Sequence, residues 1–133
     1  MACVYKEIMI DVPADLVWDA VRDIGAVHQR LVPGILTDAR LEPGARVVTF
    51  ANGMVVRELI VDLDDERRRF AYAAVGGRAT HHNASIQVLA EGSDRCRVVW
   101  ITDLLPSEVA APIAGLVEQG AAVMKRTLEA QRS

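Results

Sequence analysis

Tyr72, His82 and Trp100 are the residues here whose types and spacing best suit chemistry, each in its own alternating stretch. Around Tyr72, Arg67 and Arg69 take the solvent-facing parity, so Phe70 and Tyr72 take the other. Around His82, the residues His81, Asn83, Ser85 and Gln87 form a polar parity, and His82, Ala84, Ile86 and Val88 form the opposite one. Arg95 and Arg97 point out, so Cys96, Val98, Trp100 and Thr102 point in. A fourth stretch, 54–63, reads both ways. Either Val55, Arg57, Leu59 and Val61 face inward, or Val56, Glu58 and Ile60 do. The apolar count slightly favours the first, and either choice places a charge inside.

A charge in an apolar interior is costly unless paired or solvated, so it marks a candidate site. An inward Glu58 could act as general acid or base, or bind a ligand hydroxyl. The competing reading is a carboxylate at a pocket mouth paired with an arginine. Tyr72 could orient a carbonyl or enolate; otherwise it is a core tyrosine with a satisfied hydroxyl. His82 could shuttle a proton, although a lone inward histidine is more often simply hydrogen-bonded. Trp100 is either packing or a ligand platform, and an aromatic with a polar tip suits a half-wet cavity. A metal at His81-His82 is disfavoured, because adjacent strand residues face opposite ways. No Gly-rich phosphate loop, CxxC pair or ordered Ser-His-Asp set is present. Arg67-Arg68-Arg69 beside Asp64-Asp65-Glu66 reads as a solvated, self-compensating hairpin end.

The elements that must position these residues follow from the pattern. Cys3–Val12 alternates as a strand. Pro13 ends it and opens a helix, Ala14 to about Asp23, with Val17, Ala20, Val21 and Ile24 on one face and Trp18 at its edge. Gly25 breaks that helix, and Ala26–Leu31 forms another short turn. From Ile35 onward turn residues recur every eight to twelve positions, the rhythm of an antiparallel meander. The strands are Ile35–Leu41, Arg46–Ala51, Met54–Leu63, Arg67–Val75, Thr80–Ala90 and Arg95–Leu104, with Asn52-Gly53 a strong hairpin signal. The segment Pro106–Ser133 carries Val109, Ile113, Leu116, Val117, Gly120, Ala121, Met124 and Leu128 at helical spacing. Pro112 fits only a first turn, so the continuous helix is expected to begin near Ala111. One long amphipathic helix cannot bury its stripe alone, so the sheet must curve around it. Gly115, Gly120 and Ala121 leave room between the two.

At 133 residues, 51% hydrophobic and 25% charged, the chain is expected to be one globular α+β domain, 1–133. The net charge of −3 and the lack of a basic stripe exclude the usual nucleic-acid footprint. No apolar run is long enough to insert in a membrane. The charged N-terminal segment does not read as a signal peptide, so a cytoplasmic location is expected. Cys3 and Cys96 fall near opposite ends of one strand pair and are expected to be free thiols.

The stretch Ile10-Asp11-Val12-Pro13-Ala14-Asp15-Leu16-Val17-Trp18 resembles the strand-to-helix entry of the START/Bet v 1-like (SRPBCC) superfamily, the helix-grip proteins. Arg57-Glu58-Leu59, Leu63-Asp64-Asp65-Glu66-Arg67-Arg68, Tyr72, Gly76-Gly77 and Asn83 are similar to bacterial polyketide cyclase/dehydrase-type members, and to the plant abscisic-acid receptors. The resemblance covers nearly the whole chain. It implies a helix-grip fold: seven antiparallel strands curved around the long C-terminal helix, with a short helix or helix pair after the first strand. It also implies that Glu58 faces the cavity with Val56 and Ile60, and that Tyr72 lines it. The family often carries a second tryptophan where this chain has His28-Gln29-Arg30-Leu31-Val32-Pro33. The receptors' gate loop is replaced by Ala51-Asn52-Gly53-Met54, so hormone sensing is not implied.

The expected cavity wall is Val56, Glu58, Ile60, Phe70, Tyr72, His82, Ala84, Ile86, Val98, Trp100, Leu116, Gly120 and Met124. The expected guest is a small hydrophobic molecule, such as a lipid, polyketide or aromatic compound, held by a monomer or homodimer without cofactor or metal. The alternative is a polyketide cyclase, aromatase or dehydratase using Glu58, Tyr72 or His82 for acid–base chemistry. A protein-interaction role would need an exposed apolar patch that the pattern does not point to.

Overall fold

Seven strands make one antiparallel sheet in a computed structural model that describes residues 2–76 and 78–131. Gly77 of the expected Gly76-Gly77 turn, and the Arg132-Ser133 end of the expected last helix, lie outside the described residues. The strands are β1 (Ala2–Ile10), β2 (Leu36–Glu42), β3 (Ala45–Phe50), β4 (Val55–Asp64), β5 (Arg69–Val75), β6 (His81–Ala90) and β7 (Cys96–Leu105). Their spatial order is β1-β7-β6-β5-β4-β3-β2, a meander with the first strand closing beside the last. After β1 come α1 (Ala14–Arg22), a 3₁₀ turn (Ile24–Ala26) and α2 (Val27–Arg30). A 3₁₀ turn, Ser107–Val109, leads into α3 (Ala110–Ala130), which places Pro112 in the first turn, where its missing N–H costs nothing.

α3 is the element that the sheet grips. It buries Val117, Gly120, Ala121, Met124 and Leu128. Its C-terminal half is tied to β1 and its exit. Lys125 Nζ donates to the Met9 carbonyl at 2.6 Å, Glu129 Oε2 accepts from the Asp11 N–H at 2.9 Å, and Lys6 pairs with Glu118 at 3.0 Å. The N-terminal half is looser: Ile113 is half-buried and Leu116 is 37% exposed. The stripe read from the sequence is thus core at one end and cavity wall at the other.

The β4–β5 hairpin end compensates itself only in part, with Arg67 3.9 Å from Asp64 and Arg69 3.8 Å from Asp62. Asp65 accepts from Trp18 Nε1 at 2.9 Å and from Arg22 Nε at 2.7 Å, and Arg68 pairs with Asp15. Asp65 and Arg68 therefore pin α1 to the hairpin, and Trp18 is 6% exposed rather than at an edge. The β3–β4 connection also differs from a two-residue turn. Phe50 N–H donates to the Met54 carbonyl at 2.8 Å, and Gly53 N–H donates to the Phe50 carbonyl at 2.9 Å. The loop is Ala51-Asn52-Gly53, closed by Gly53 at φ 90°, a left-handed conformation that glycine adopts without strain. Cys3 and Cys96 are free, opposite Asp103 and Ile10 at the two ends of the β1–β7 pair.

Candidate ligand cavity

The loop length decides what faces Glu58. A two-residue turn at Asn52-Gly53 would place Val47 opposite Glu58. The three-residue loop shifts the pairing by one, so Arg46 stands opposite Glu58 and Val48 opposite Val56. Both members of the Arg46–Glu58 pair are buried, at 4% and 9% exposure. Arg46 Nη2 and Nε both donate to Glu58 Oε1, at 2.5 and 2.9 Å, while Nη1 donates to the Ile24 carbonyl at 3.1 Å. The guanidinium carbon lies 5.1 Å from the Phe70 ring centre and 5.6 Å from that of Tyr72. Those rings stack on each other at 5.3 Å. The Arg46 cation is therefore engaged by a carboxylate, a carbonyl and two rings, which meets the requirement that a buried charge be paired and hydrogen-bonded.

Above this pair the sheet and α3 stay apart, leaving a cavity of about 370 Å³. This lies at the small end of the ~300–1,000 Å³ usual for small-molecule sites. Of the expected wall, the sheet supplies Val56, Glu58, Phe70, Tyr72, His82, Ile86 and Trp100, and α3 supplies Leu116, Gly120 and Met124. Three expected residues do not border the cavity. Ile60 stands where β4 bulges, between Ile60 and Asp62, and packs against the core. Ala84 is buried between Tyr72 and Thr102 on the flanking strands, both of which border the cavity. Val98 is fully buried beside Ile8 and Val88.

The α1–α2 region closes one side with Val21, Val27 and Leu31. The solvent-exposed lining residues Asn52 in the β3–β4 loop, Arg78 before β6 and Pro112 at the start of α3 mark the mouth. Reading the sequence missed Arg46, whose signal was concealed by the one-residue shift, and Arg78, which sits in a loop with no parity to read. Thr102 was read as inward and does border the cavity.

Tyr72, His82, Trp100 and Thr102 bring neutral polar side chains to the cavity wall. Burial, reinforced by the Glu58 charge and opposed by Arg46 and Trp100, holds the Tyr72 phenol well above its usual value, so it stays a donor. Partial burial, with His81 adding to it, lowers His82 and favours neutral imidazole. Tyr72 lies beside the Trp100 indole, yet Trp100 Nε1 is buried without a partner at bonding geometry among the described residues. Gly120 is what admits that indole: a Cβ there would sit 3.1 Å from Trp100 Cη2. Among the described residues no group of three or more His, Cys, Asp or Glu could hold a metal ion, and no helix is long and apolar enough to cross a membrane.

Comparison with known proteins agrees with this architecture. An uncharacterized protein from Bacillus thuringiensis superposes with a TM-score of 0.87 at 16% identity, over 96% of this chain and 98% of that one. A START superfamily protein from Mycobacterium smegmatis gives 0.74 at 14% identity, over 97% and 95%. The di-domain ARO/CYC BexL of the BE-7585A biosynthetic pathway gives 0.85 at 15% identity, over 97% of this chain and 47% of that one. At these identities the likeness establishes the helix-grip fold alone. No curated protein matches the sequence. The sequence profile described as "polyketide cyclase / dehydrase and lipid transport" matches residues 1–131, and the chain belongs to that family.

Proposed function

We propose that the chain binds one small, mostly apolar molecule in the cavity between its sheet and α3. The observation that carries this reading is the hollow itself: about 370 Å³, with apolar walls and a few fixed polar groups. Each 100 Å² of apolar ligand surface removed from water would favour binding by roughly 2.5 kcal/mol, before the cost of immobilising the ligand. The Tyr72 hydroxyl would add direction by donating to a ligand oxygen, with the Trp100 indole beside it. Glu58 serves chiefly to hold Arg46, since its Oε1 already accepts two N–H groups.

A catalytic reading, cyclisation or dehydration of a poly-β-keto substrate, draws support from the neutral phenol and imidazole at one cavity. One experiment separates the two. Titration with a neutral apolar dye and displacement by candidate ligands measures binding, and turnover is followed in parallel for wild type, Glu58→Gln and Tyr72→Phe. Saturable one-to-one displacement without turnover supports the carrier. Turnover abolished by Tyr72→Phe with binding kept supports the enzyme. Absence of any saturable binding rejects both.

A further inference from the structure

The mouth carries a charge that the interior does not answer. Arg46 and Glu58 neutralise each other, and Arg78 makes no hydrogen bond or ion pair among the described residues. Several arginines on the sheet and its turns are engaged: Arg57 with Glu42, Arg68 with Asp15, Arg69 with Asp62, Arg97 with Glu7. The cavity wall thus has one net positive charge in a chain whose net charge is −3. Asn52 reaches the same mouth from the β3–β4 loop. Its Oδ1 accepts from the Met54 N–H at 2.9 Å, so its amide NH₂ is the part left to face a guest. The two loops stand at one end of the sheet, because Arg57 near the start of β4 pairs with Val75 at the end of β5.

We infer that the ligand is an apolar molecule ending in an anionic oxygen group, carboxylate or phosphate, and that Arg78 selects it by binding that end at the mouth. The inference rests on the ligand-binding reading above. An arginine is suited to the task, since its planar fork matches carboxylate and phosphate oxygens. The apolar body lies against Trp100 and Met124 while the head stays at the water boundary, so the anion is never fully desolvated. Because Arg78 is exposed, the selectivity it confers is moderate and sensitive to salt.

The test compares dodecanoic acid, dodecyl phosphate and dodecanol as displacers of a neutral apolar dye from the full chain at pH 8, in low salt and in high salt. At least one anion is expected to bind about three- to ten-fold more tightly than the alcohol at low salt, and this advantage shrinks at high salt. Which anion leads tells carboxylate from phosphate. Arg78→Gln is expected to erase the advantage, and Arg78→Glu to reverse it. The thermal midpoint stays unchanged and dodecanol affinity falls by much less than that of the anions, which separates lost selectivity from lost folding. Equal binding of all three by wild type, or an anion preference that survives Arg78→Gln, overturns the inference and leaves the cavity reading standing. If the dye binds and none of the three displaces it, the proposed ligand class is wrong. If the dye itself fails to bind, the cavity reading falls as well.

Discussion

Replacing Arg46 with methionine leaves the Glu58 carboxylate, 9% exposed, without the guanidinium that neutralises it. Removing one partner of a buried pair costs about 3–5 kcal/mol. The same change frees the Ile24 carbonyl and strips the cation from the Phe70 and Tyr72 faces, so the upper half of that range is expected. Glu58→Gln is milder. The amide oxygen can still accept from Arg46 Nε and Nη2, and Arg46 keeps Ile24 and both rings, so about 1–3 kcal/mol is expected. Combining Arg46→Met with Glu58→Leu removes both charges at once. Because apolar replacement of a whole buried pair is often neutral or stabilising, the double variant should be more stable than Arg46→Met alone. Urea unfolding followed by circular dichroism reads all three. Single variants costing under about 1 kcal/mol, with effects that simply add in the double, would refute the buried pair. Ligand affinity of Glu58→Gln should fall only modestly, since Glu58 braces Arg46 rather than the guest.

Gly120→Val forces a branched side chain toward Trp100, whose ring would lie 3.1 Å from the new Cβ. It is expected to cost about 1–3 kcal/mol and to weaken ligand binding severalfold as the indole is pushed into the hollow. In a Trp18→Phe background Trp100 becomes the sole tryptophan, and its emission follows this displacement and ligand entry directly. Phe70→Ala removes a 1% exposed ring stacked on Tyr72 beneath Arg46, and should cost about 3–5 kcal/mol in the same urea titration. Burial lowers His82 from 6.5, so the folded chain takes up its proton at lower pH than the unfolded chain does. The unfolded state then binds more protons as pH falls below about 6.5, and stability should decline there and stay level above it. His82→Asn should flatten that slope; a slope unchanged by the substitution would assign it to other groups.

Much of the fold was legible because alternation and turn chemistry agree along most of the chain. Arg67 and Arg95 announce the outward parity of their strands, which sets the inward positions of Tyr72 and Trp100. The long apolar stripe from Val109 to Leu128 announces α3. The site was less legible where one residue changes parity. The three-residue Ala51-Asn52-Gly53 loop moves Arg46 inward in place of Val47, and the β4 bulge beyond Ile60 resets the face of the strand's last residues. Ala84 and Val98 have inward parity, but parity does not say which inward side chains border the cavity. Arg78 and Asn52 come from loops, where no period exists to read. The links from Asp65 and Arg68 to α1 span distances along the chain that a local charge pattern cannot reveal.

The most direct test of a ligand-holding hollow is native mass spectrometry of the chain purified from its own host, repeated for Gly120→Val. A discrete added mass at one per chain, released on denaturation and depleted in the variant, is the predicted result. A wild-type chain that carries no added mass, and gains none when offered apolar acids, alcohols or aromatic compounds, would contradict it.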